Sequence, residues 1–120
     1  MLICRPTGVL TNDRGNDIAT CRECLLKAGL TNVNRFHDLT RVTGLDLNFN
    51  DMLSISAQES ESRKGQPQIK ACYLVPNPLI YGMIRMYQML SESQGIDVHV
   101  SYNMPELAAV LGLEASQLTA

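Results

Sequence analysis

The chain has 120 residues, 45% hydrophobic and 18% charged, with a formal net charge of −2. That balance fits one soluble globular domain and excludes a disordered chain. It carries no run of Lys and Arg, so the basic surface of a generic nucleic-acid binder is missing and no nucleic-acid partner is expected.

Four short apolar runs alternate with helix-like stretches. The first is Leu2 to Leu10 (LICRPTGVL), in which Pro6 marks an edge strand or a bend. The opening MLICRP has no basic segment before an apolar run, so it does not read as a signal peptide. Asp17 to Ala28 sets Ile18, Cys21, Leu25 and Ala28 on one helical stripe, with Gly29 as its stop. Val33 to Leu39 (VNRFHDL) alternates like a half-buried strand. Asn48 to about Ser62 turns Phe49, Met52, Leu53 and Ile55 to one side, and ESRKGQPQ reads as a surface loop.

Ile69 to Val75 (IKACYLV) is the most continuously apolar run and suits a central strand. Pro78 to Ser93 is the strongest helix, with Asn77 as N-cap, Pro78 at the first helical position and Gly95 after its end. Ile96 to Tyr102 is a fourth strand, Met104 to Leu111 a short helix before Gly112, and residues 114–120 a frayed tail. The order βαβαβαβα implies an α/β domain over residues 1–113, with a mostly parallel sheet flanked by helices. No segment approaches the ~20 apolar residues of a membrane span, and a cytoplasmic protein is expected.

Four stretches carry a resemblance over nearly the whole chain. GVLTNDRGNDIATCREC looks like a strand end leading into a first helix, and HDLTRVTGLDLNFNDML like a "D-L-S-x-V-x-x-x-D" strand-to-helix passage. ACYLVPNPLIYGMIRMYQML is similar to a strand followed by "G-x-x-R-M-Y-x-x-L", and DVHVSYNMPELAAVLGL to a closing "V-x-V-F-x-x-x-x-E-A-x-x-W-L". Together they resemble the STAS superfamily (sulfate transporter and anti-sigma factor antagonist), and most closely its SpoIIAA-like branch of small bacterial proteins. The resemblance implies a SpoIIAA-like fold with a four- to five-stranded sheet. Two positions depart from the pattern. Anti-sigma factor antagonists follow the second aspartate with a serine pair, the second serine accepting phosphate. Here Asp46 is followed by Leu47, Asn48 and Phe49, so Asn48 stands at the phosphoacceptor-equivalent position without a hydroxyl. Val110 stands where the closing tryptophan is expected, before Leu111.

Two surfaces follow. The first is an interaction loop of Asp38, Thr40, Asp46 and Asn48, beyond the carboxyl ends of strands where α/β sheets bind ligands. Its plain structural reading is an Asx turn at Asp38 and an N-cap at Asn48. Thr40 and Thr43 carry hydroxyls that spacing does not single out. The second is the helix from Pro78, apolar on more than one face, with Tyr81, Gly82, Arg85, Met86 and Tyr87 as a partner or dimer surface. Gly82 costs such a helix roughly 1 kcal/mol, which suits a closely packed neighbour.

Chemistry is scarcer. Cys21-Arg-Glu-Cys24 sits inside a predicted helix rather than at its start, where a redox pair belongs. Cys4, Cys72, His37 and His99 fall on strands without metal-ligand spacing, so no metal is expected. Nucleophile-elbow, Walker and dinucleotide motifs are all missing, and no cofactor is expected. The sequence therefore leads to a non-enzymatic protein-interaction or regulatory module, homodimeric or bound to a protein partner. The alternative is a small carrier of a lipid or other apolar ligand, related to CRAL-TRIO domains, with the ligand under the methionine-rich helix.

Overall fold

The computed structural model describes residues 1–11, 33–91 and 95–119. The predicted helix over Asp17 to Ala28, with its Cys21/Cys24 pair, lies outside the described residues.

The protein is α/β with a parallel four-stranded sheet flanked by helices. The first apolar run is two strands, β1 (Leu2–Cys4) and β2 (Gly8–Thr11), parted at Pro6, whose missing N–H interrupts a ladder. The second run gives β3 (Arg35–Asp38), and a strand the pattern did not indicate, β4 (Val42–Asp46), follows within the expected loop. Then come α1 (Phe49–Ser62), β5 (Ile69–Leu74), α2 (Pro78–Ser91), β6 (Ile96–Ser101), α3 (Met104–Leu111) and α4 (Ala115–Thr119). The main sheet runs β1-β3-β5-β6, and β2 pairs with β4 in a separate parallel ribbon.

The register sorts side chains between the two faces, because a strand alternates them. On one face lie two rows across all four strands, Leu2-Arg35-Ala71-Val98 and Cys4-His37-Tyr73-Val100. Helices α1 and α2 cover this face with Met52, Ile55, Ile80, Ile84 and Tyr87. On the other face Phe36, Cys72 and Leu74 pack against Leu107 and Ala108 of α3 and Leu118 of α4, with Ile3 at the margin. The central position of β5 matches its apolar composition.

The helices begin where sequence placed them. Asn48 caps α1, Asn77 Oδ1 accepts from Ile80 N–H at 3.0 Å, and Asn103 caps α3. Gly112 ends α3 at φ 71°, a left-handed conformation that glycine adopts without cost. Two expectations are corrected. The tail is not frayed over 115–119: α4 forms and sets Leu118 fully in the core, while Arg5 Nη2 donates to the Leu118 carbonyl. The link after α1 is not wholly a surface loop either, since Arg63 is buried and donates to the Pro67 carbonyl.

Candidate functional site

The stretch from Asp38 to Asn48 is held by its own polar groups. Asp38 Oδ1 accepts from Thr40 N–H at 3.0 Å and from Thr40 Oγ1 at 2.6 Å, which is an Asx turn. Val42 N–H donates to the Leu39 carbonyl at 3.0 Å, so residues 39–41 form a tight link between β3 and β4. Asp46 ends β4 and is exposed. Asn48 Oδ1 accepts from Asp51 N–H at 2.8 Å and Asp51 Oδ2 accepts from Asn48 N–H at 2.9 Å, a reciprocal capping box. The side chains of Asp38, Thr40 and Asn48 thus serve the turn and the helix start. Past them the chain presents Phe49, 53% exposed.

Helix α2 divides the second predicted surface among three directions. Tyr87 faces inward: it is buried and meets Tyr73 edge-on at 6.3 Å, so it is a core residue and not part of a partner surface. Tyr81 stacks on Tyr102 at 5.1 Å, and Arg85 Nη1 donates to Gln88 Oε1 at 2.7 Å, both on the flank toward β6. Gly82 is exposed, and a Cβ there would meet nothing within 4 Å, so close packing is not its reason. Met86 lies on the opposite flank. Leu79, Met83, Met86 and Leu90 share one stripe at helical spacing, and on α1 Phe49, Leu53 and Ser56 share another. Ser56 Oγ donates to the Leu90 carbonyl at 3.2 Å, which sets these two stripes along one seam. Leu79 and Met89 remain 67% and 72% exposed.

Under α1 lies a buried polar cluster that the sequence did not disclose. Arg35 Nη1 and Glu59 Oε1 pair at 2.7 Å with both side chains buried, and Arg63 sits buried one helical turn beyond Glu59. Burial and the neighbouring Arg35 lower the Arg63 pKa, while Glu59 opposes the shift. The His37 ring stacks on Tyr73 at 4.5 Å, 5° from parallel, with Nε2 closed to solvent. Burial and then Arg35 hold its pKa down to about 3, so it is neutral at neutral pH. Burial raises Tyr73 well above the ordinary tyrosine value. A signal for Glu59 was present: with Met52, Ile55 and Ser56 it continues the inner stripe of α1. Arg35 meets the Glu59 carboxylate, and Arg63 donates to the Pro67 carbonyl just beyond α1. This is a structural cluster.

Of the described cysteines, Cys4 lies in the row of His37 and Tyr73, and Cys72 on the opposite face of the sheet. Burial first, then Asp97, pushes the Cys72 thiol up to about 11, which keeps it protonated and unreactive. Among the described residues no three His, Cys, Asp or Glu side chains gather as a metal site would need.

A groove of about 140 Å³ opens at β6, between α2 and α3. Arg85 and Gln88 of α2, His99, Val100 and Ser101 of β6, and Glu106, Leu107 and Val110 of α3 line it. Its polar groups are oriented: Gln88 Nε2 donates to the Val98 carbonyl at 2.7 Å, His99 Nε2 meets Asp97 Oδ2 at 2.9 Å, and Ser101 Oγ donates to Glu106 Oε2 at 2.8 Å. Sequence reasoning had singled out His99, Arg85 and Val110 separately and not as one site, because the groove joins residues from three elements.

No protein-family model and no curated protein matches the chain. No helix among the described residues is long and apolar enough to cross a membrane.

Proposed function

We propose that the protein is a non-enzymatic interaction module of STAS type, with Asn48 in place of a phosphoacceptor, that pairs with a second copy of itself through α1 and α2. The observation that carries this reading is the exposed apolar seam between those helices. Phe49, Leu53, Leu79 and Met89 together leave on the order of 400 Å² uncovered, a patch size that in soluble proteins is often functional. The half-buried Met83 and Met86 and the small Gly82 border this patch and enlarge it, leaving it below the roughly 800 Å² per partner of a standard interface. Its apolar character suits a homodimer, whose interfaces are the more apolar class.

Asn48 supports the same reading from another side. Its side-chain oxygen is engaged as an N-cap acceptor, and the residue offers no hydroxyl for phosphate. The module would then act through constitutive pairing, without a phosphate switch at this position.

Sedimentation equilibrium of the full chain from 1 to about 200 μM, the range of moderate protein affinities, tests the proposal. Dimer is expected for the wild type and monomer for the double variant Leu53→Glu, Leu79→Glu, whose exposed positions leave the core untouched. A wild type that stays monomeric throughout sinks the assignment.

A further inference from the structure

We propose that the β6 groove binds a free α-amino acid in its zwitterionic form. This site is separate from the α1–α2 seam and does not rest on dimerisation.

Two opposite charges face one small groove without joining each other. Arg85 comes from α2 and Glu106 from α3, and both line the cavity. Arg85 is bonded to the neutral amide of Gln88, and Glu106 to the hydroxyl of Ser101. Among the described residues neither enters an ion pair. Gln88 is itself fixed by the Val98 carbonyl and Ser101 by donating to Glu106, so the two charges are oriented before any ligand arrives. Gln88 uses only part of the guanidinium fork, and Glu106 keeps a second oxygen free of Ser101.

The chemistry of the ligand follows from this pair. A guanidinium fork matches a carboxylate. A carboxylate on the opposite side takes an ammonium. A simple anion would gain Arg85 and be repelled by Glu106, and a simple cation the reverse, so a molecule carrying both groups is favoured over either. The volume of about 140 Å³ is well below the ~300 Å³ where drug-sized pockets begin, and it admits a ligand of amino-acid size. Val110, half-buried beside Glu106, gives the side chain a small apolar contact.

The competing occupant is an extended peptide added to β6, which among the described residues is an edge of the sheet. Gln88 already occupies the Val98 carbonyl, where the N–H of an added strand would bond, so the groove favours the smaller ligand.

Titration of the ¹⁵N-labelled full chain with each of the twenty free amino acids, followed by amide NMR, tests the inference. At least one, with L-leucine the first choice for an apolar contact with Val110, is expected to give saturable shifts confined to Val100, Ser101 and the facing turns of α2 and α3. Its analogues 4-methylpentanoate and 3-methylbutylamine, each lacking one charge, are expected to bind at least tenfold more weakly. Arg85→Gln and Glu106→Gln should each weaken binding at least tenfold and leave the rest of the spectrum in place. Leu53→Glu with Leu79→Glu should leave it unchanged. The inference is overturned if no amino acid gives a localised saturable shift, or if the one-charge analogues bind as well. It also falls if the two variants bind normally, or if an acetylated, amidated tri-leucine peptide occupies the same amides more tightly.

Discussion

The two faces of the main sheet are buried by different means. One face is apolar: Phe36, Cys72 and Leu74 meet Leu107, Ala108 and Leu118. The other mixes Ala71 and Val98 with Arg35, His37 and Tyr73, under a helix that supplies Glu59 and Arg63. The apolar face tolerates sliding, since apolar contact has no direction. The mixed face does not, because Arg35 must meet Glu59 wherever α1 settles. The comparison teaches that buried ionisable groups here fix the position of a helix. Chemistry-bearing side chains open to ligands lie elsewhere, at the sheet edge.

The largest test breaks the mixed face. Glu59→Ala should cost about 3–5 kcal/mol by urea denaturation, since it strips buried Arg35 of its counter-charge. A loss below ~1 kcal/mol would mean that Arg35 reaches water, since exposed pairs contribute only that much. On the apolar face, Leu118→Ala should cost about 3 kcal/mol through an unfilled cavity. A negligible loss would return the tail to the frayed state expected from sequence.

Acid should separate the faces further. The folded pKa of His37, about 3, lies below the 6.5 of the unfolded chain, so the unfolded state binds the extra proton. This contribution is complete above pH 6.5 and is lost as the pH falls toward about 3, by up to about 1.4 kcal/mol per pH unit. His37→Phe should flatten that part of the stability profile, and an unchanged slope would remove His37 as its source.

Two smaller changes calibrate the surface against both faces. Asn48→Ala should cost about 1 kcal/mol as a lost N-cap, with Asn48→Ser recovering most of it. A change in self-association without a stability loss would instead make Asn48 a contact residue. Gly82→Ala should gain about 0.5–1 kcal/mol in thermal unfolding, because the added methyl meets nothing and the helix loses less entropy on folding.

Legibility in the sequence followed how local the cause was. The starts of α1 and α2 were readable because Asn48 and Asn77 act on N–H groups three residues away; Asn103 caps α3 in the same way but was not singled out. β4 was not, because VTGLD holds a glycine and exposed polar positions and depends on pairing with β2, far away in sequence. Leu118 stands alone in a polar run, and its burial is decided by α3 and by the face that Phe36 and Ile3 share. Tyr87 was grouped with Tyr81 by composition, although six positions of helix turn the two rings to different sides. Of the interaction loop, the capping and turn roles were visible in the spacing. The groove was not, since Arg85 and Glu106 meet only when α2, β6 and α3 are in place.

The bond from Arg5 to Leu118 spans 113 residues of chain and ties the first strand to the last helix. Leu118 leaves the ribosome long after Ile3 and Phe36, so a nascent chain holds those two residues without their full cover until this segment has been made. The apolar face is therefore the portion of the domain most in need of protection during translation, and it closes only when Arg5 and Leu118 can meet.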